Sequence, residues 1–329
     1  MDEARRRRRR LGLHVARPAV TLLMAGCLLV ACGTQPTRDH ETESDRTVSG
    51  SPHSPGQVAG RSRSPAPQAT PDSVLGTLPR LPRARDATAL ARQLDLAAAT
   101  LRDRDAPETD VRLAGEFQQL AVRTLATAPD AFRRKVTAQL RPHTARVTTS
   151  DVRAARALQG MNDPQPTLPR WRIVAPPPAT ELLGYYREAQ RRTGVPWTYL
   201  AAIHLVETRM GRIRGASSAG ALGPMQFLPS TWDLYGTGGD INDPRDAILA
   251  AARLLKHNGA PADMADALWH YNPSDSYVQA VSEYARTMQR SRSAYHGYWH
   301  WRVLYRHARG TYVLPVGYPD TRPVLLGSE

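Results

Sequence analysis

Glu207 is the residue in this chain whose type and setting best suit proton transfer. Leu200, Ile203 and Glu207 recur at i, i+3 and i+7 in the segment 196–209, and Met210 follows. This spacing places a carboxyl group on the apolar face of a helix. A solvated glutamate would belong on the other face, beside Arg209. Burial disfavours the charged form and raises a carboxyl pKa. An acid that must hold its proton near neutral pH, and then give it to a leaving oxygen, needs that setting. The same pattern also suits a buried glutamate bonded to backbone at a helix end, so periodicity alone leaves both readings open.

The elements around Glu207 must present it. Gly211, Gly215, Gly220 and Gly223 interrupt the helical pattern directly after it. Helices are predicted at 181–192, 196–209, 244–258, 263–271 and 275–290. Pro196 and Pro244 suit a first helical position, where the missing N–H costs nothing. Asp243 suits the cap of the helix beginning at Pro244, and Asp246 its first turn. Asp233, Asp240 and Asp243 are the candidates for a second carboxylate across a scissile bond. Asp243 is more simply read as a cap and Asp240 as a turn residue. No run before the C-terminus reads convincingly as a strand. Near the C-terminus, Thr311-Tyr-Val-Leu-Pro315 suits a short strand or strap.

The loop reads Ser217-Ser-Ala-Gly220-Ala221-Leu-Gly223-Pro-Met225-Gln226-Phe-Leu-Pro229-Ser230-Thr-Trp232. It is followed by Asp240-Ile-Asn242-Asp243-Pro244 and by Ala267-Leu-Trp-His-Tyr271-Asn272-Pro-Ser. In this order and spacing the three pieces resemble the lytic transglycosylases, specifically the membrane-bound type B branch of the lysozyme-like superfamily, across about 180–290. The resemblance implies that Glu207 is the single catalytic acid/base. It also implies that Ser217 and Gln226 line sugar subsites, that Tyr271 and Asn272 face the reacting sugar, and that Met225 and Phe227 pack beneath the loop. Ser217 and Gln226 also suit loop-to-backbone hydrogen bonding, and Tyr271 a packed ring with an exposed hydroxyl. One position departs from the family, which usually has serine directly after the catalytic glutamate. Here it is Thr208, which keeps the hydroxyl.

The rest of the chain reads as delivery. Residues 1–32 have the pattern of a signal peptide: arginines at 5–10, a short apolar stretch to Ala31, then Cys32 in a lipobox-like setting. Met24-Ala25-Gly26-Cys27 is a weaker alternative. Residues 33–85 are rich in Pro, Ser and Arg and poor in large apolar side chains, the composition of a disordered tether. Extended, it would reach roughly 180 Å. Residues 86–160 show helical periodicity, as in Leu90, Leu94, Ala97 and Leu101, and form an expected accessory region. Six prolines mark 161–179 as a strap, with Trp171 and Ile173 suited to pin it. The catalytic domain is expected at 180–296, and an aromatic and basic extension at 297–329.

Composition narrows the choices. The formal net charge is +14, but lysine occurs only at 135 and 256. An arginine-favouring composition accounts for much of that charge. No basic-aromatic groove pattern or zinc-ligand spacing points to nucleic acid. The two cysteines, Cys27 and Cys32, both lie in the N-terminal segment, which leaves no disulfide or cysteine metal site downstream. His296 and His300, four apart, lack a nearby carboxylate or cysteine to complete a metal site.

The expectation is a mainly α chain: a lysozyme-like transglycosylase domain with an N-terminal helical accessory region and a disordered tether. It would be an exported enzyme that needs no cofactor or metal. Its partners would be peptidoglycan glycan strands and, through Cys32, the outer face of the cell membrane. Secretion without an anchor is the alternative location. The alternative functions are a water-using muramidase with a second carboxylate and a non-catalytic wall-binding protein.

Overall fold

The computed structural model describes residues 86–327, and the expected signal peptide, Cys32 and the tether lie outside them. The described residues are mainly helical, with eleven helices and five short strands.

Four helices come first: α1 (Ala87–Arg102), α2 (Glu108–Thr127), α3 (Asp130–Thr137) and α4 (Pro142–Gln159). Their shared core holds Leu90, Leu94, Phe117, Leu125, Val136 and Val152. Each such side chain, fully buried, stabilises by roughly 1.5–3 kcal/mol. Asp86 caps α1 by accepting from the Ala89 N–H at 2.9 Å, worth about 1 kcal/mol.

The second group is α5 (Ala179–Thr193), α6 (Trp197–Thr208), α7 (Pro229–Tyr235), α8 (Pro244–His257), α9 (Met264–Tyr271), α10 (Asp275–Arg290) and α11 (Arg292–Trp299). Helix α6 runs through its middle. Thr198 and every residue from Leu200 to Thr208 are buried. The helix therefore has no solvent face, and the expected contrast between an apolar face and a polar face at Arg209 does not exist. Side chains from its neighbours surround it on every side. Pro196 stands one position before its expected place, at the N-cap rather than inside the helix. The cap comes from α5 instead, where Gln190 Oε1 accepts from the Trp197 N–H at 2.7 Å. Asp243, Asp263 and Ser274 cap α8, α9 and α10 through the N–H groups of Asp246, Asp266 and Tyr277.

Strands were under-read from the sequence. β1 (Arg172–Ile173) pairs antiparallel with β2 (Ile213–Arg214), tying the proline-rich strap to the segment that follows α6. β3 (Val303–His307), β4 (Gly310–Leu314) and β5 (Val324–Leu325) form a small antiparallel sheet. Trp171 and Ile173 are buried with Val303, Tyr305 and Tyr318, so the strap is pinned by the sheet.

Two boundaries look different in three dimensions. Helix α11 spans the expected break at 296/297. Tyr295, Tyr298 and Trp301 sit in the core that surrounds α6. The aromatic run is helical because Tyr295 and Tyr298, three apart, share one buried face. Helix α4 of the accessory region also packs along α10 and contributes Ala154 to that same core.

Candidate active site

Glu207 lies in the last turn of α6, 4 % exposed. Its Oε1 accepts a hydrogen bond from the Tyr277 hydroxyl at 2.7 Å. Burial pushes the carboxyl up to about 8, against a smaller lowering by that bond. Near neutral pH the acid therefore keeps its proton, while the tyrosine stands ready to stabilise the anion once the proton is given up.

Local geometry explains how a glutamate can be held at a helix end in the core. Arg209, Met210 and Gly211 follow with φ of 53°, 60° and 82°. Three successive left-handed residues, two of them with a Cβ, turn the chain sharply and cost about 1–3 kcal/mol for each non-glycine position. The turn is held by bonds from the Arg209 N–H to the Leu205 carbonyl and from the Met210 N–H to the His204 carbonyl. The Gly211 N–H donates to Thr208 Oγ1 at 3.1 Å, and Thr208 Oγ1 donates to the Pro224 carbonyl at 2.6 Å. Thr208 thus fastens the end of α6 to the following loop with the hydroxyl it shares with serine.

His204, one turn before Thr208 on α6, is fully buried beneath this corner. Its Nδ1 lies 2.7 Å from the Tyr186 hydroxyl. Burial pushes it down to about 3, so it is uncharged and acts as packing.

The loop lies against Tyr271. The Tyr271 hydroxyl donates to the Met225 carbonyl at 2.6 Å. The Tyr271 ring stacks on that of Tyr277 with centroids 6.3 Å apart. Together they connect the carboxyl of Glu207 to the loop backbone. Gln226, at φ 52°, donates through Nε2 to the Gly223 carbonyl at 2.9 Å, and its buried Oε1 has no hydrogen-bond partner. Asn272 is 2 % exposed, and both its side-chain Oδ1 and Nδ2 lack partners. Buried polar atoms are nearly always satisfied, so orphans of this kind call for an explanation. Gly223, at φ 73°, is required because a Cβ there would meet the Ile241 carbonyl oxygen at 1.9 Å.

Of the expected site residues, the structure joins Tyr271 to Glu207 through Tyr277. It seats Gln226 and Asn272 with unused polar atoms. Ser217 is different: its Oγ accepts from the Ala221 N–H at 3.0 Å, the loop-to-backbone role that the sequence also allowed. Met225 and Phe227 are buried under the loop, as the resemblance implied. Among the candidate second carboxylates, Asp243 caps α8 and Asp240 accepts from the Asn242 N–H in a turn, while Asp233 is exposed on α7. Tyr277 was missed. Its signal was the stripe Tyr277, Ala280, Val281, Tyr284 and Met288 on α10, which places a tyrosine on a buried face where its hydroxyl must find a partner.

Residues 184–293 match the family model described as Transglycosylase SLT domain. The match takes in Glu207, the loop, and both tyrosines. This segment is thus a lysozyme-like transglycosylase domain. The domain marks the chain as an enzyme, a peptidoglycan lytic transglycosylase. Neither a curated protein nor a solved structure matches the chain.

Proposed function

We propose that the protein is an exported lytic transglycosylase of the membrane-bound type B branch. In this reading it cleaves the β-1,4 bond from N-acetylmuramic acid to N-acetylglucosamine with Glu207 as its single acid/base. The observation that carries the reading is the buried, proton-holding carboxyl of Glu207 against the Tyr277 hydroxyl, inside the matched segment.

Protonated Glu207 donates to the bridging oxygen as the bond to the anomeric carbon breaks. The carbonyl oxygen of the substrate's own N-acetyl group stabilises the positive charge at that carbon. The Tyr277 hydroxyl supports the carboxylate left behind. Glu207 then accepts the proton of the C6 hydroxyl as its oxygen bonds to the anomeric carbon. The enzyme ends with its proton restored, and the product carries a 1,6-anhydromuramic end with no water consumed. A water-using mechanism would need a second carboxylate at a set distance. The cap and turn roles of Asp243 and Asp240 leave them poorly placed for that work.

Gln226 and Asn272 are assigned to sugar amides or hydroxyls, which would satisfy the polar atoms orphaned in the free protein. Tyr271 positions the loop and presents its ring edge to the sugar. Ser217 shapes the loop and borders the same subsites. Lipidation at Cys32 would hold the enzyme at the outer face of the cell membrane, with 33–85 as its reach.

Digestion of purified peptidoglycan with the full chain and with Glu207→Gln, read by mass spectrometry, tests the reading. Products lighter by one water than hydrolysis products, absent with Glu207→Gln, are expected. Hydrated products would replace the reading with a muramidase. Binding without products from either protein would replace it with a wall-binding role.

A further inference from the structure

A cavity of about 460 Å³, whose lining does not include Glu207, lies where α2, α11, the segment after α6 and the β3–β4 sheet meet. Three arginines line it, Arg112, Arg212 and Arg302, with two carboxylates, Glu108 and Glu116. Glu116 is committed: its Oε1 pairs with Arg302 Nε at 3.0 Å. Arg302 is further fixed by two backbone bonds to Gln119, each 2.8 Å. Arg212 and Arg112 have no ion-pair partner among the described residues. Arg212 donates to the Arg209 carbonyl at 3.2 Å, and its guanidinium lies 5.5 Å from the centre of the Trp299 ring. The indole is itself held, donating to the Pro177 carbonyl at 3.0 Å. His300, beside it, is pushed by burial down to about 4 and brings no charge. The lining therefore carries one uncompensated positive charge, on a preformed aromatic floor. Ile173, Val303, Leu314 and Val316 supply an apolar part of the lining.

We infer that this cavity binds the free carboxylate end of a short peptide with small apolar side chains, gripped by Arg212 and Arg112 and seated on Trp299. The single excess charge suits a monoanion. A phosphate would bring nearly two charges against Glu108 and leave the apolar lining unused. The guanidinium fork matches a carboxylate in two parallel bonds. The peptide's own N–H can donate to Glu108. Two sources share this chemistry: the peptide stems of the cell wall and the C-terminus of a protein.

The full chain is titrated by calorimetry with N-acetyl-alanyl-alanine in D,D and L,L forms, with the C-terminal amide of each, and with inorganic phosphate. Binding is read without turnover, so the outcome does not depend on Glu207. The acids are expected to bind at least about tenfold more tightly than the amides, the scale of a charge-assisted pair. Arg212→Gln should weaken the acids about tenfold or more. Arg112→Gln, a half-buried position on the surface of α2, should weaken them by several-fold with the fold intact. A preference for the D,D form assigns the wall peptide, and equal binding or an L,L preference assigns a protein C-terminus. No heat with any acid, equal binding of acid and amide, indifference to Arg112→Gln, or phosphate binding as tightly as the peptides would overturn the inference.

Discussion

Glu207 and Asp151 are both buried carboxyls held by a tyrosine hydroxyl, in two different regions of the molecule. Tyr277 donates to Glu207 at the end of α6. Tyr298 of α11 donates to Asp151 of α4, and Gln118 of α2 donates to its other oxygen at 3.4 Å. Burial raises both, Glu207 to about 8 and Asp151 to about 7, the latter also through the nearby Glu283 charge. By titration alone the two are twins. Their surroundings separate them. Asp151 has partners on both oxygens and is enclosed where α2, α4 and α11 meet, so it joins the accessory helices to the catalytic unit. Glu207 is linked through Tyr277 and Tyr271 to a loop tied down by Thr208, and Gln226 of that loop and Asn272 beside Tyr271 keep unused hydrogen-bonding atoms. A raised pKa reports burial. Acid catalysis additionally requires room for a substrate to reach the proton.

Exchanging each acid for its amide divides the pair most sharply. Glu207→Gln should lower cleavage of peptidoglycan by about 10³-fold or more, within the range for losing a general acid. Asp151→Asn should leave it within a few-fold, as turnover assays on both variants would show. A large loss with Asp151→Asn at unchanged stability would erase the distinction.

The pH dependence of stability gives the next largest effect, and here the two carboxyls should behave alike. Both carboxyls bind their proton more tightly in the folded chain. The stability they contribute is whole below about pH 4 and falls as pH rises through their folded values, about 7 and about 8. Urea unfolding between pH 4 and 7 should therefore show a decline that Asp151→Asn reduces, by on the order of 4 kcal/mol. A decline unchanged by Asp151→Asn would mean that Asp151 titrates normally.

Tyr277→Phe sharpens the Glu207 side. Loss of a hydrogen bond to a charged group should slow turnover roughly 10–100-fold. Because that bond lowers the Glu207 pKa, the alkaline limb of the rate profile should move to higher pH. An unchanged limb in a pH–rate series would detach Tyr277 from the acid.

The smallest effect belongs to Thr208. Thr208→Val removes the ties to Pro224 and Gly211 and should destabilise by about 1–3 kcal/mol. Thr208→Ser should remain close to wild type in denaturant unfolding, since it keeps the hydroxyl.

Much of this was legible in the sequence, and the misses share a cause. Asp243 and Pro244 announced α8 because capping is local chemistry. Glu207 was legible as buried, although the reason given, one apolar face, was wrong. Burial of α6 on all sides depends on helices distant in sequence, which a periodicity window does not see. Tyr277 lies on α10, seventy residues further along the chain, and only the assembled fold brings its hydroxyl to Glu207. The two-residue strands β1 and β2 form because the strap and the turn after α6 meet, and two residues carry no strand pattern of their own. For Ser217 the sequence allows both a sugar contact and a bond within the loop, and the structure shows the second, with its Oγ accepting from the Ala221 N–H.

The central position of α6 bears on how the protein tolerates damage. Amide exchange and proteolysis proceed through local openings, and segments buried on every side open only with the whole structure. The amides of residues 200–208 should therefore be among the last to exchange with deuterated solvent. Peripheral helices can fray while the acid keeps its seat, so Glu207 itself is displaced only when the molecule comes apart as a unit.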